Sequence, residues 1–294
     1  MRYRLRVART RTKAGPELPD LPRSAKKLAA VLSRPGPNAV LRGDLGLIGI
    51  PGVVFTPIKG LGLPAVAFGH DWLQGPDRYL PLLRHLASWG IVAAAPGSYR
   101  GPVPSHARFS ADLRTTLDVC VGVRLGDGAI SVDRRRLALA GHGMGGGCAV
   151  LAAAERGPDE LAAVVTLAAA ETRPSAIETA RSVTVPGLHL SAGKDQVSPP
   201  VAGAEPVAAN WGGPVVLREL PKANHLGFLS GKALVDALLA GSPQGATAKL
   251  TRSLVTGFLL HTLLGARHAE ELVTGQLKRT EVKLSRYGDA APNR

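Results

Sequence analysis

One stretch in the middle of the chain indicates the fold: residues 136–147 read Arg-Leu-Ala-Leu-Ala-Gly-His-Gly-Met-Gly-Gly-Gly. An apolar run of strand length leads into a glycine-rich turn, placed here at 141–147. Small residues follow it to position 154, a composition that suits a closely packed helix. Two interpretations fit a strand, a sharp turn and a helix in this order.

The first interpretation is a dinucleotide-binding loop. Gly141, Gly143 and Gly146 match the pattern G-x-G-x-x-G, in which glycines let the backbone approach a pyrophosphate. Glu171 follows the next predicted strand, where an acid that binds ribose is expected. The turn lies in mid-chain rather than in a first βα unit, and a lone match to this pattern is weak, so dinucleotide binding is kept only as an alternative.

The second interpretation is a nucleophile elbow, G-x-S-x-G, in which a serine sits on a sharp turn between strand and helix. Gly141 and Gly145 occupy the two glycine positions, where a side chain would collide with the neighbouring strand and helix. His142 and Met144 occupy the variable positions. Gly143 stands where the serine is required.

The sequence around this turn alternates between strand and helix patterns. This alternation predicts βαβ units and a mostly parallel central sheet with helices on both faces, the α/β class. Ligands of such sheets bind beyond the carboxyl ends of the strands. Strands are predicted within 40–56, 63–68, 91–95, 136–140, 161–168, 183–191 and 215–220, and helices at 78–89, 109–123 and 246–264.

Three further turns follow predicted strands and carry polar residues. Gly69-His70-Asp71-Trp72 ends one strand, Asp195 follows another, and His225 follows a third. The order elbow, aspartate, histidine is that of α/β-hydrolases. The dinucleotide interpretation leaves Asp195 and His225 without a role.

In the stretches 69–96, 137–146, 182–199 and 220–226 the chain resembles the lid-less α/β-hydrolases grouped around bacterial cutinases, polyester hydrolases and chlorophyllases, and more distantly dienelactone hydrolases. The resemblance extends over roughly residues 40–265. It implies Asp195 as the acid and His225 as the base of a triad, and the backbone N–H groups of Trp72 and Met144 as an oxyanion hole. The short segment between residues 168 and 183 leaves no room for a large lid, so we expect an open, shallow site.

Two positions depart from the family pattern. Gly143 replaces the nucleophile, and Asp71 stands where the family has glycine. We expect that the turn at Asp71 needs a positive φ, and that its carboxylate opposes an oxyanion. Cys148 and Ser191 are the nearest alternative nucleophiles, and we expect both to be structural.

A missing serine removes the atom that forms the acyl-enzyme. We therefore expect a protein of carboxylic-ester-hydrolase ancestry that is catalytically impaired and acts by binding or as a scaffold. The alternative is an active esterase or lipase of the serine-hydrolase type, or one inactivated by engineering. The expected ligand is small and ester-like or lipid-like, with no cofactor and no metal, because no histidine has metal-ligand spacing.

The formal net charge is +14, and 45% of the residues are hydrophobic. The positive charge is concentrated at the two ends of the chain. We therefore predict a basic, proline-containing leader at 1–38, a hydrolase domain at 39–268 and a basic tail at 269–294. Within the leader, 24–34 is expected to form a short helix packed on the domain. The basic N-terminus can contact an anionic membrane surface, and no nucleic-acid partner is expected. Two cysteines and the lack of a secretory signal predict a cytoplasmic protein, with peripheral membrane contact as an option.

Overall fold

The computed structural model describes residues 20–232, 236 and 241–287. Within these residues nine strands form one sheet: β1 Val40–Asp44, β2 Gly52–Pro57, β3 Gly60–Gly69, β4 Val92–Pro96, β5 Ile130–His142, β6 Ala163–Leu167, β7 Gly187–Ala192, β8 Val215–Leu220 and β9 Glu281–Ser285. Eight α-helices of the described part accompany them: α1 Ala25–Leu32, α2 Leu80–Ser88, α3 His106–Gly122, α4 Met144–Arg156, α5 Ala176–Thr179, α6 Ala204–Ala209, α7 Gly245–Leu264 and α8 Ala269–Thr274.

The strand order is β1-β2-β4-β3-β5-β6-β7-β8-β9. The six strands from β4 to β8 in this order run parallel. β1 and β2 at one edge and β9 at the other are antiparallel to their neighbours. The predicted class, a mostly parallel sheet with helices on both faces, is confirmed.

The two faces of the sheet are covered by different helices. Successive strand residues point to opposite faces, so Val66 and Phe68 of β3 join one core while Ala65 and Ala67 join the other. The first core also contains apolar residues of α1, α2, α7 and α8. The second contains residues of α3, α4, α5 and α6. Burial on both faces explains why the central strands are almost continuously apolar.

Elements near both ends of the chain belong to this packed fold. Leu28 and Leu32 of α1 are fully buried against the first core, so the helix expected within 24–34 is present. At the other end β9 pairs with β8. Residues on both sides of the predicted boundaries at 38 and 268 therefore pack together, and the division into a leader, a domain and a tail stays a prediction. The basic residues 1–19 and 288–294 lie outside the described residues.

A buried arginine holds the segment before β9 in place by hydrogen bonds. Arg218 of β8 has no exposed surface, and its guanidinium donates to the carbonyl oxygens of Val273 and Gly275 at 2.7 and 2.6 Å. It also donates to Thr280 Oγ1 at 2.6 Å. The sequence analysis predicted no strand at 281–285, whose five residues alternate between exposed and half-buried positions.

Two predicted boundaries are wrong for local reasons. β7 begins at Gly187 rather than at residue 183, because Pro186 has no N–H to donate to a neighbouring strand. The turn predicted at 141–147 ends at Gly143. The carbonyl oxygen of Gly143 accepts the N–H groups of Gly146 and Gly147, so the last glycines belong to α4. In the described part of the chain, no helix combines the length and apolar character needed to cross a membrane.

Candidate active site

The glycines of the turn between β5 and α4 are required by close packing. A Cβ on Gly141 would lie 2.2 Å from the carbonyl oxygen of Gly145. A Cβ on Gly145 would lie 2.3 Å from the backbone carbonyl of Gly69 at the end of β3. Both distances are far below van der Waals contact, so only glycine fits. This is the packing expected of a nucleophile elbow.

Gly143 has the backbone conformation of a strained elbow residue, with φ +52° and ψ −119°. These angles lie outside the regions that residues with a side chain prefer. A glycine adopts them without the steric cost that a serine would bear. The elbow therefore keeps its shape although the side chain that gives it a function is missing.

The carboxylate of Asp71 fills the space where a side chain of residue 143 would begin. A Cβ built on Gly143 would lie 1.9 Å from Asp71 Oδ1 and 2.4 Å from its Cγ. The register of the sheet brings the two turns together, since Gly69 of β3 is paired with Gly141 of β5. Asp71 is only 4% exposed, so its position is fixed by the protein around it.

The carboxylate of Asp71 forms hydrogen bonds with two groups that a serine hydrolase would use in catalysis. Its Oδ1 accepts the backbone N–H of Met144 at 2.8 Å, and its Oδ2 lies 2.8 Å from Nε2 of His225. The first donor is the predicted oxyanion-hole group, and the second is the atom that would face the serine hydroxyl. The carboxylate thus bridges the nucleophile position and the oxyanion position. It also places an anion at the N-terminus of α4, where a pyrophosphate would have to bind.

The expected positive φ does not occur at Asp71. Among described residues other than glycine, the nearby one with positive φ is Leu73, at 56°. Asp71 can therefore replace a family glycine without backbone strain. His70, fully buried, holds this turn, since its two ring nitrogens lie 2.9 and 2.8 Å from the carbonyl oxygens of Asp71 and Ser98.

Asp195 and His225 come together as the sequence order predicts. Asp195 follows β7, and its Oδ2 lies 2.7 Å from Nδ1 of His225, which follows β8. The other oxygen of Asp195 accepts the backbone N–H groups of Val197 and Ser198 at 2.9 and 2.8 Å. These bonds fix the carboxylate and, through it, the imidazole ring.

His225 therefore lies between two carboxylates. Burial by itself lowers its pKa, but the hydrogen bonds and negative charges of Asp195 and Asp71 prevail and raise the pKa to about 9. Burial likewise raises the pKa of Asp71, but the hydrogen bond from His225 is among the opposing causes that lower it to about 2. At neutral pH the site is an imidazolium held by two carboxylates, and a protonated imidazole cannot act as a general base.

His142 lies beneath this group at the end of β5. It is fully buried, and burial lowers its pKa to about 3, so it is neutral. Its Nδ1 lies 2.8 Å from the hydroxyl of Tyr79, which also accepts the backbone N–H of Asp71 at 3.2 Å. Tyr79 thus connects the two turns, a role that no spacing in the sequence indicates.

Asp71, His142 and His225 also form a cluster with donor atoms suited to a metal ion, all within 4.8 Å of one another. No metal is expected from the sequence, because no histidine has metal-ligand spacing. Asp71 and His225 already share a hydrogen-bonded proton. A cation would have to displace that proton.

The site opens into a cleft of about 430 Å³. Trp72, Val103 and Val197 form an exposed apolar rim, and the indole N–H of Trp72 donates to the carbonyl oxygen of Pro102 at 3.0 Å. The sequence analysis did not foresee the contribution of the loop around residue 103. The cleft is lined by Asp71, Trp72, Pro102, Val103, Pro104, His106, Met144, Ala170, Glu171, Val197, Ser198 and His225.

The two alternative nucleophiles are structural. Cys148 is fully buried, and burial raises the pKa of its thiol to about 12. Ser191 lies within β7 and is 1% exposed. Neither residue lines the cleft.

Comparison with known families bears on the fold. A family model described as PET hydrolase-like matches residues 86–212, which is less than half of the chain. The matched segment includes the elbow and Asp195, but it begins after Asp71 and ends before His225. A search of curated proteins finds no match. The sheet and the elbow have the arrangement of an α/β-hydrolase fold, and the match supports an ancestry among ester hydrolases.

Proposed function

We propose that this protein does not hydrolyse esters through an acyl-enzyme and that it acts by binding a small, partly apolar ligand in the open cleft. The single observation that carries the proposal is the carboxylate of Asp71 in the place of the nucleophile. It supports the loss of three catalytic parts together: the attacking atom, one oxyanion donor and the general base.

The pairing of Asp71 with Gly143 also bears on how the serine was lost. A serine-to-glycine change made by engineering would leave an empty space at the elbow. Here an aspartate from a neighbouring turn fills that space and contacts the groups that faced the serine. This supports a matched pair of changes, and it favours a binding role over the alternative of an active or deliberately inactivated serine hydrolase.

The test for lost chemistry is hydrolysis of p-nitrophenyl butyrate by four proteins: wild type, Gly143→Ser, Asp71→Gly and the double variant. Gly143→Ser alone is expected to remain inactive, since its Cβ would collide with Asp71. The double variant frees the oxyanion donor and restores the serine, so we expect its rate to exceed that of wild type by about 10³-fold or more. Wild-type turnover as fast as the double variant, and abolished by His225→Ala, would overturn the proposal.

The test for binding uses the fluorescence of Trp72. The other two tryptophans, Trp89 and Trp211, are 5% and 3% exposed, whereas Trp72 is 38% exposed at the rim. 4-Nitrobenzyl alcohol, which has no carbonyl group, is expected to quench the wild-type signal in a saturable manner. Trp72→Phe serves as the control and should lose that response. Absence of saturable quenching at millimolar alcohol would refute the binding role.

The predicted contact with an anionic membrane surface depends on residues 1–19. We keep two proposals about partners: this membrane contact, and a lipid-like ligand in the cleft.

A further inference from the structure

We infer that the cleft selects cationic ligands, of the class of aryl or alkyl ammonium ions, and disfavours the carbonyl oxygens and carboxylates that an ester hydrolase binds. This inference rests on the proposed binding function and specifies its ligand. It follows from what the cleft offers to a ligand.

The hydrogen-bonding groups at the floor of the cleft favour a donor ligand. The floor of an ester-hydrolase site presents N–H donors to an oxygen. In this protein the N–H of Met144 is already bound to Asp71 Oδ1 at 2.8 Å. The carboxylate of Asp71 faces the cleft instead. Each of its two oxygens can accept more than one hydrogen bond. At this point of the floor the cleft therefore presents an acceptor in place of the Met144 donor.

The charges of the lining residues also favour a cation. Asp71, Glu171 and His225 are the charged residues that line the cleft, and Asp195 lies directly behind His225. Asp71 and Asp195 contact the imidazolium and Glu171 adds a third carboxylate to the lining, which leaves the cleft negative although the whole chain carries a formal charge of +14. Arg100 and Arg173 are close in sequence to the cleft residues at 102–106 and 170–171, but neither arginine lines the cleft.

The wall and the rim of the cleft place an acid and an aromatic ring where a substituted cation would contact both. Glu171 is exposed on one wall, and its Oε2 accepts the backbone N–H of Ile177 at 3.1 Å, which holds the carboxylate in place. Trp72 lies at the rim with its indole exposed. The face of an indole attracts a cation, and the apolar rim fits a hydrocarbon or aromatic group attached to it. An ammonium ion with an apolar substituent matches all three features.

The experiment compares three probes that share one quenching group and differ in charge: 4-nitrobenzylammonium, 4-nitrobenzyl alcohol and 4-nitrobenzoate. Each is titrated against Trp72 fluorescence at pH 7 and low salt. We expect the ammonium to bind about tenfold more tightly than the alcohol, and the benzoate to bind more weakly than either, as a partly exposed charge pair would produce. Benzoate binding as tight as ammonium binding would overturn the inference.

Two variants localise the effect. Glu171→Gln is expected to weaken binding of the ammonium about threefold to fivefold and to leave the alcohol unchanged. Glu178→Gln removes the same charge from an exposed position of α5 that does not line the cleft, and it should have little effect. Unchanged ammonium affinity in Glu171→Gln would contradict the inference.

The outcomes separate this inference from the proposed function. Saturable binding of the alcohol without a preference for the ammonium refutes the cationic selectivity alone. Failure of all three probes to bind refutes both.

Discussion

The two turns that meet at the site make opposite contributions to its centre. The elbow at 141–145 has no side chain at Gly143, whereas the turn at 69–72 supplies the carboxylate of Asp71. They pack so closely that a Cβ on Gly69 would lie 2.9 Å from the Cα of Gly145. Only one of the two turns can place a group at the centre of the site. The comparison teaches that Gly143 and Asp71 should be treated as one coupled unit.

The largest effect on stability is expected from a substitution at the elbow. Gly143→Ala would push Asp71 away from His225 and Met144, and disrupting a buried charge pair costs about 3–5 kcal/mol. In an Asp71→Gly background only the backbone strain remains, about 1–3 kcal/mol. A double-mutant cycle from urea unfolding measures the difference as a coupling energy.

Gly157→Ala is the matched control for this cycle. Gly157 also has a positive φ, +72°, but a Cβ there would meet nothing within 4 Å. The Gly157→Ala substitution should therefore lower the free energy of unfolding only through backbone strain. A Gly143→Ala variant as stable as Gly157→Ala would show that the two turns are not coupled.

The next effect concerns the charge that joins the two turns. The pKa of His225 is raised from 6.5 to about 9, so its stabilising contribution is complete below pH 6.5 and is lost as the pH rises through 9. The corresponding loss in free energy of unfolding is about 3 kcal/mol. The pKa of Asp71 is lowered from 3.8 to about 2, so its contribution is complete above pH 3.8 and is lost as the pH falls through 2.

Urea unfolding at pH 6.5 and pH 9 measures the alkaline loss. Asp71→Asn removes one of the two carboxylates, so the difference between the two pH values should shrink in that variant. Equal stability of wild type at both pH values would contradict an imidazolium at the centre of the site.

The smallest effect concerns the rim. Trp72→Ala should weaken binding of 4-nitrobenzyl alcohol about threefold to tenfold, because it removes aromatic contact area. It should change the free energy of unfolding by less than about 0.5 kcal/mol, since the side chain is on the surface. Calorimetric titration measures the affinity, and Val201→Ala, at a residue that is 73% exposed and does not line the cleft, is the control. Equal losses of affinity in both variants would remove Trp72 from the binding surface.

Local patterns were enough to predict the sheet, the elbow and the order of Asp195 and His225. Each depends on residues close in sequence, such as the alternation of apolar runs or the glycines at 141 and 145. The position of the Asp71 carboxylate could not be predicted in the same way. It depends on the pairing of β3 with β5, which sets two distant turns side by side, and on the rotamer that Met144 and His225 select.

The same limit applies to the ends of the chain. The amphipathic pattern of α1 is visible in the sequence, but β9 is short, half exposed and charged, so its composition resembles a tail. Its place in the sheet depends on pairing with β8 and on the contacts of Arg218 with the preceding segment. Such long-range contacts produce no local periodicity in the sequence.

The carboxylate of Asp71 resembles the product of the reaction that this fold evolved to perform. When an ester hydrolase releases its acid, one oxygen of that acid can rest on the oxyanion donor and the other on the histidine. Asp71 holds this arrangement permanently, with Met144 and His225 at 2.8 Å each. Under the proposed function, the site corresponds to that of a hydrolase fixed in its product complex, and because this carboxylate is part of the chain itself, it can never be released.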